Sequence, residues 1–435
     1  MAAARRSAPV LVLNSFVDMD ELTGAPDGEG WTRLKCASKT AYGCGEHGQE
    51  LVEGLALYAR FGDDPVLITS SMAIRMSDAA LRRVEEATGV PVNHRVRCGK
   101  LEAWGAIEVA DQHRIVIGVF FRRDYGRRDS LAYRLLYDKT VMSLSMIQYL
   151  PDDVKAFCGI VAVVDPSECA AAKGVVNYEL LILARSQKSR PRADVLCICT
   201  PPASTAASNG AGPWQTKARR FLGRDPGLFF TDVVFACQGK AFWVDLSQGL
   251  VYCDVLRASS SGNDSVDVDF EFVELPQEHL LGFKTMLEDE PRKMSRTMAC
   301  VDDTVWFACI DRHGSCQDHL VTLWTLDLVE RQWTKEMEFP TKMLWALDSF
   351  KEAGLPERVF MDPSLTPDGA LCVLLAGDHI MMEYAYPPVE DHICSFDLRR
   401  KRLVWHAIVH DYHYTDPLIV PSSFFQTLLC LPAGP

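Results

Sequence analysis

The sequence predicts a mainly β protein: a propeller-like array of antiparallel hairpins with a few peripheral helices, or alternatively a stacked array of β-sandwiches. Three observations point there. Short runs rich in β-branched and aromatic residues, bounded by Gly, Pro, Asp or Ser, fill most of the chain. Helix-period patterns are confined to three short stretches. One hairpin-like phrase is written three times, as FWVDLSQGLVYCDVL (242–256), LWTLDLVERQW (323–333) and ICSFDLRRKRLVW (393–405).

The chain opens on the apolar run VLVL, which is too short for a secretory core and is soon followed by Asp18, Asp20 and Glu21. It reads as a first strand. Two early helices are expected over 49–62 (QELVEGLALYARFG) and 77–89 (SDAALRRVEEATG), the second with Ser77 as its cap and Gly89 as its stop. A third is expected over 341–356, where Leu344, Leu347 and Phe350 recur at three-residue spacing ahead of Gly354 and Pro356. HRIVIGVFF (113–121), FCGIVAVVD (157–165), YELLILA (178–184), ADVLCICT (193–200) and DTVWFACI (303–310) all read as strands. In NDSVDVDFEFVEL (263–275), Val266, Val268, Phe270 and Phe272 alternate with Asp267, Asp269 and Glu271, giving a half-buried strand with an acidic outer face. TPPASTAASNGAGP has the composition of a flexible loop, assigned to 200–213. The resulting division is an N-terminal β-rich region with two short helices (1–150), as first blades or a cap, and a propeller-like repeat region (151–435).

The three repeats align on Asp245-Leu246, Asp327-Leu328 and Asp397-Leu398. An aromatic precedes each (Trp243, Trp324, Phe396), and another follows (Tyr252, Trp333, Trp405). This is a strand, a turn opened by Asp, and a returning strand. The carboxylate suits the turn because it accepts hydrogen bonds from backbone N–H groups just ahead, and the aromatics are expected to pack on a neighbouring sheet. Intervals of 82 and 70 residues are long for one blade. They imply large insertions or a degenerate blade between copies.

From about Trp214 to Val404 the chain resembles a plant family, expanded in grasses, defined by a domain of unknown function, number sixteen-eighteen. The resemblance rests on DVVFACQGKAFWVDLSQGLVYCDVL, FEFVELP, RTMACVDDTVWFACI, VTLWTLDL with QWTKEMEF, and ICSFDLRRKRL, and more loosely on YDKTVMSLSMIQYLP and PVLVLNSFV upstream. Such proteins are similar in style to kelch-like and F-box-associated propeller regions. The resemblance implies a β-rich propeller-like fold and carries no established activity, partner or catalytic residue.

Composition narrows the function classes. Across 435 residues, 48% hydrophobic and 24% charged content is that of an ordinary globular protein. A net charge of −13 argues against general nucleic-acid binding, which needs clustered Lys and Arg, and against anionic membranes. No apolar run approaches the roughly 18 residues of a membrane span. The 15 cysteines include no C-x-x-C and many sit inside apolar strands, so reduced thiols and a cytosolic or nuclear address are expected.

Candidate chemistry is sparse. Cys309, His313, Cys316 and His319 bring thiolates and imidazoles within reach of one zinc ion, yet their spacing matches no standard zinc module and burial in a strand accounts for Cys309. His406 and His410 would share a helix face, but LVWHAIV reads as strand, where positions four apart lie about 13 Å apart. Cys44 and His47 are a thiol and a base in a Gly-flanked loop. Arg122, Arg123, Arg127 and Arg128 surround Tyr125, but Asp124 and Asp129 offset them, leaving a hairpin tip suited at most to an acidic protein loop. No metal, cofactor or catalytic residue is assigned. The expected function is a monomeric, non-enzymatic protein-interaction module that binds a protein or peptide on a propeller face. The alternative is a hydrolase on the same scaffold acting on a sugar or small ester.

Overall fold

The computed structural model describes residues 10–62, 69–88, 101–111, 113–123, 131–151, 153–164, 178–187, 194–200, 213–255, 267–281, 292–311, 319–375, 391–409 and 418–421. The protein is mainly β. Five antiparallel meanders of four strands follow one another along the chain, and we number them blades two to six. Blade two comprises Leu101–Ala110, Arg114–Arg123, Leu131–Asp138 and Ser143–Gln148. Blade three comprises Val154–Val164, Tyr178–Ser186, Asp194–Cys199 and Trp214–Phe221. Blade four is Val233–Cys237, Lys240–Asp245, Gly249–Asp254 and Val268–Glu274. Blade five is Arg296–Val301, Thr304–Asp311, Leu320–Asp327 and Gln332–Pro340. Blade six is Phe360–Leu365, Leu371–Leu375, Asp391–Asp397 and Arg402–Val409.

Blade one is composite. Val10–Asp18 runs parallel to Thr69–Met76, which pairs with Leu55–Arg60, and the C-terminal strand Leu418–Pro421 lies antiparallel on its other side, Val12 opposite Ile419. The first and last described strands of the chain therefore complete one sheet.

Successive blades pack face to face, and period-2 alternation supplies both faces. Ile115 and Ile117 turn towards Leu57, Met72 and Ile74 of blade one, whereas Val116 joins Ile182 and Cys197 of blade three. Leu181 and Leu196 meet Trp243 and Phe270 of blade four. Phe242, one residue from Trp243, meets Val305 and Phe307 of blade five. Ala308 and Ile310 meet Val373 and Phe396 of blade six. Leu374 and Ile393 then pack on Val12 and Ile419 of blade one. Six faces in cyclic order close a propeller-like ring.

The outermost strands carry a second regularity, because the end of each lies against the start of the next one round. Gln148 O accepts from Trp214 Nε1 at 2.6 Å, Arg219–Phe221 pairs parallel with Val268–Phe270, and Glu274 O accepts from Trp333 Nε1 at 2.7 Å. Phe339 and Leu403 continue the series in one cluster. The first strands of blades two to six pack on one another at the inner side of the ring.

Blades four, five and six are consecutive, starting at Val233, Arg296 and Phe360. Among the described residues no blade is hidden between the repeated phrases, contrary to one of the two explanations drawn from their spacing. The first copy spans strands two and three of its blade, and the other two span strands three and four, which lengthens the first interval.

The helices are shorter than their periodicity suggests. Only Gly48–Gly54 of the 49–62 pattern is helical, and Leu55–Arg60 is a strand with Leu55, Leu57 and Ala59 buried. Leu55 and Ala59 would continue the helical face of Leu51 and Val52, but with Leu57 they also alternate at a period of two, and the sheet decides. Asp78–Ala87 forms as expected, with Ser77 Oγ accepting from Ala80 N at 3.3 Å, and Gly89 lies outside the described residues. The 341–356 pattern divides into Lys342–Trp345 and Asp348–Glu352. Among the described residues no helix is long and apolar enough to cross a membrane.

Candidate functional site

The repeated aspartates open turns, and the local chemistry is visible in each. Asp327 Oδ1 accepts from the backbone of Val329 and Glu330, at 2.8 and 3.0 Å, and Asp397 Oδ1 accepts from Arg400 N at 2.9 Å. The aromatic partners serve four interfaces. Trp243 faces blade three; Tyr252, Leu246, Trp324, Leu328 and Trp333 share the space between blades four and five. Phe396 and Leu398 pack between blades five and six, and Trp405 faces blade one.

Asp245 departs from its two counterparts. It is 0% exposed, and its carboxylate accepts from Ser247 N (2.9 Å), Phe230 N (2.9 Å), Gln248 Nε2 (2.8 Å), Arg292 Nη1 (3.1 Å) and the Ser247 hydroxyl. The other arm of the Arg292 guanidinium reaches Asp232 Oδ1 at 3.1 Å, and Asp232 Oδ2 accepts from Leu246 N at 2.8 Å. Burial raises the Asp232 carboxyl above its ordinary value, against the opposing pull of Leu246 N–H and Arg292. Arg292 thus draws two carboxylates together, and a carboxyl pair is also the equipment of glycoside hydrolysis. Their lone pairs, however, are directed to internal donors, and Asp245 has no surface for a substrate. The clasp fastens the segment between blades four and five to the Asp245–Gly249 turn.

A row of exposed aromatic side chains lies on blade two. Trp104 is 42% exposed and stacks on Phe120, directly across the strand pair, with ring centroids 5.4 Å apart and planes 11° from parallel. Tyr149 meets Phe120 edge-on at 5.1 Å. The Arg122 guanidinium sits 5.5 Å over Trp104 and donates to Glu102 at 2.9 Å. Beneath, Arg134 is buried, 3.7 Å over Tyr149, and donates to Glu108 at 2.7 Å and to Tyr149 O at 2.6 Å. Phe16 lies opposite Ala106, two residues along the same face as Trp104, and is 56% exposed. Sequence reasoning did not find this row. FFRR drew attention for its charge, whereas the signal was an aromatic at the strand position that pairs with Trp104.

The remaining candidates separate. Cys309 is buried between blades four and five, His319 lies at the start of blade five's third strand, and His313 and Cys316 fall outside the described residues. Among the described residues no three metal-ligating side chains converge. His406 is in the strand Arg402–Val409, where burial lowers its pKa; His410 lies outside the described residues, as do Asp124, Tyr125, Arg127, Arg128 and Asp129. The Cys44 thiol donates to Tyr42 O and Met146 O, and burial pushes its pKa up to about 12, the reverse of what a nucleophile needs. His47 lies 3.7 Å from Glu50 instead.

Residues 243–389 match the family model for a protein of unknown function, DUF1618. The DUF1618 match runs from the second strand of blade four to the segment before the third strand of blade six. It therefore includes the Asp245 turn and excludes the Trp104 row. No curated protein matches the chain. Among solved structures, a Bacillus megaterium levansucrase variant is 8% identical, with 75% of this chain and 88% of that one covered and a TM-score of 0.28. A Bacillus subtilis levansucrase variant is 8% identical, with 76% and 92% covered and a TM-score of 0.29. At that level of superposition neither enzyme's activity carries over to this chain.

Proposed function

We propose that this protein is a non-enzymatic interaction module that takes a segment of another protein on the face of blade two, with Trp104 as the anchor. The supporting observation is the exposed Trp104–Phe120 stack with Arg122 above it and Phe16 alongside. Trp, Tyr and Arg dominate binding hot spots because they bring large, rigid, amphipathic surface. An aromatic or proline side chain of the partner would lie on Trp104, extending the stack. The hydrolase reading lacks comparable support, since the paired carboxylates Asp232 and Asp245 are occupied by Arg292 and backbone donors. We place the module in the cytosol or nucleus, in keeping with its acidic balance and its thiols.

Affinity purification of tagged wild type and Trp104→Ala, with mass spectrometry of what co-purifies, tests this. The expected result is a stoichiometric partner whose affinity falls by roughly 30-fold or more in the variant, the loss of about 2 kcal/mol typical of a hot spot. A wild-type protein recovered alone and monomeric, or a partner held equally by the variant, would overturn it.

A further inference from the structure

We propose that Cys237 and Cys300 form a redox-responsive disulfide that couples blade four to blade five. Cys237 ends the first strand of blade four and Cys300 lies in the first strand of blade five, so the pair spans two separate sheets. Their sulfurs are 2.7 Å apart and share a hydrogen bond. A bond of about 2.05 Å therefore needs only a small approach. The surroundings hold the two strands in place: Gln238 Nε2 donates to Asp303 O at 2.5 Å, joining the hairpin tips next to the pair.

The two thiols differ in the way a disulfide exchange requires. Cys300 is partly exposed, and the hydrogen bond with Cys237 holds its thiol below the ordinary value, against burial and the neighbouring Asp303 and Asp302 carboxylates. Cys237 is buried, and that same bond, burial, Cys300 and Asp303 all hold its thiol up, with Lys240 opposing. The more exposed Cys300 is the sulfur that glutathione disulfide can reach, so it attacks, and the buried Cys237 resolves.

With glutathione disulfide as oxidant, the Cys300 thiol gives its proton to water, its thiolate attacks one sulfur, the S–S bond breaks, and one glutathione thiolate leaves. Cys237 then gives its proton to water and attacks the Cys300 sulfur of the mixed disulfide, expelling the second glutathione thiolate. Both departing thiolates take up protons. Two protein thiols are oxidised by two electrons, and one glutathione disulfide becomes two glutathiones.

The full-length protein should be incubated with glutathione disulfide, quenched by acid, and measured by intact mass, peptide mapping and thermal melting. The expected product is lighter by two hydrogens, yields one cross-linked peptide joining Cys237 to Cys300, and melts a few degrees higher. Dithiothreitol should reverse all three changes. Cys237→Ser, or Cys237→Ala if the first folds poorly, should stop at one glutathione on Cys300. An unchanged mass, a cross-link between other cysteines, or a glutathione adduct that persists in the wild type would overturn the proposal.

Discussion

Asp245 shows how one carboxylate takes a different role from the same residue in a sister turn. Asp327 and Asp397 accept from one or two exposed backbone donors, whereas Asp245 is enclosed by five donors, one of them charged. Asp245→Ala would leave Phe230 N–H and Ser247 N–H without their acceptor and Arg292 with only Asp232 and the Ser247 hydroxyl, so we expect a loss of about 3 kcal/mol in a denaturant titration. Asp327→Ala, at an exposed turn, should cost no more than about 1 kcal/mol. His279 supplies the pH dependence. Trp324 Nε1 donates to His279 Nε2 at 3.1 Å, which requires that nitrogen to be unprotonated, and burial together with Arg296 lowers the imidazole pKa. The unfolded chain takes up this proton near its ordinary value of about 6.5 while the folded chain does not. The contribution is therefore present above that pH and is lost as pH falls towards the depressed folded value. Melting temperatures between pH 7.5 and 5 should drop in the wild type and drop less in His279→Gln, with His406 leaving a residual slope of the same sign.

Within single elements, turn geometry is set by a few backbone positions. Arg331 and Lys401 hold φ near +56° and +50° in the two later repeats. A side chain there is disfavoured, so Lys401→Gly should stabilise the protein by up to about 1 kcal/mol in the same titration. Gly249 is the opposite case. A Cβ on it would lie 2.3 Å from Val273 O and 2.8 Å from Phe272 Cε2. Gly249→Ala must force the third and fourth strands of blade four apart, with an expected cost of about 3 kcal/mol. Alternation, too, has a tertiary meaning. The outer face of Val268–Glu274 was expected to be acidic and solvated, and Asp269 is exposed, but Glu271 receives the Tyr252 hydroxyl and pairs with Arg331 of blade five.

At the scale of the whole molecule, closure rests on Leu418–Pro421 pairing with Val10–Asp18, and on Val12 and Ile419 packing against blade six. Val420, 3% exposed, faces the core shared by blades one and two. Val420→Asp should unseat the C-terminal strand, lowering the melting temperature and broadening hydrogen-exchange loss across blades one and six before the rest. Strand positions and turn starts were legible in the sequence because alternation and Asx chemistry act over a few residues: the strands around Ile117, Leu181 and Phe307 and the turns after Asp327 and Asp397 are all readable locally. The length of the first helix was not, because Leu55 and Ala59 would extend the helical face of Leu51 and Val52 yet also alternate with Leu57 at a period of two until a neighbouring strand decides. Nor were the stacking of Trp104 on Phe120, the clasp of Asp232 and Asp245 by Arg292, or the meeting of Cys237 with Cys300. The sequence by itself determined a chain of amphipathic and doubly apolar strands punctuated by turns. The tertiary structure alone decided that these strands close a ring and which side chains meet, because those contacts depend on strand register and on how whole sheets pack, and neither leaves a local periodicity to read.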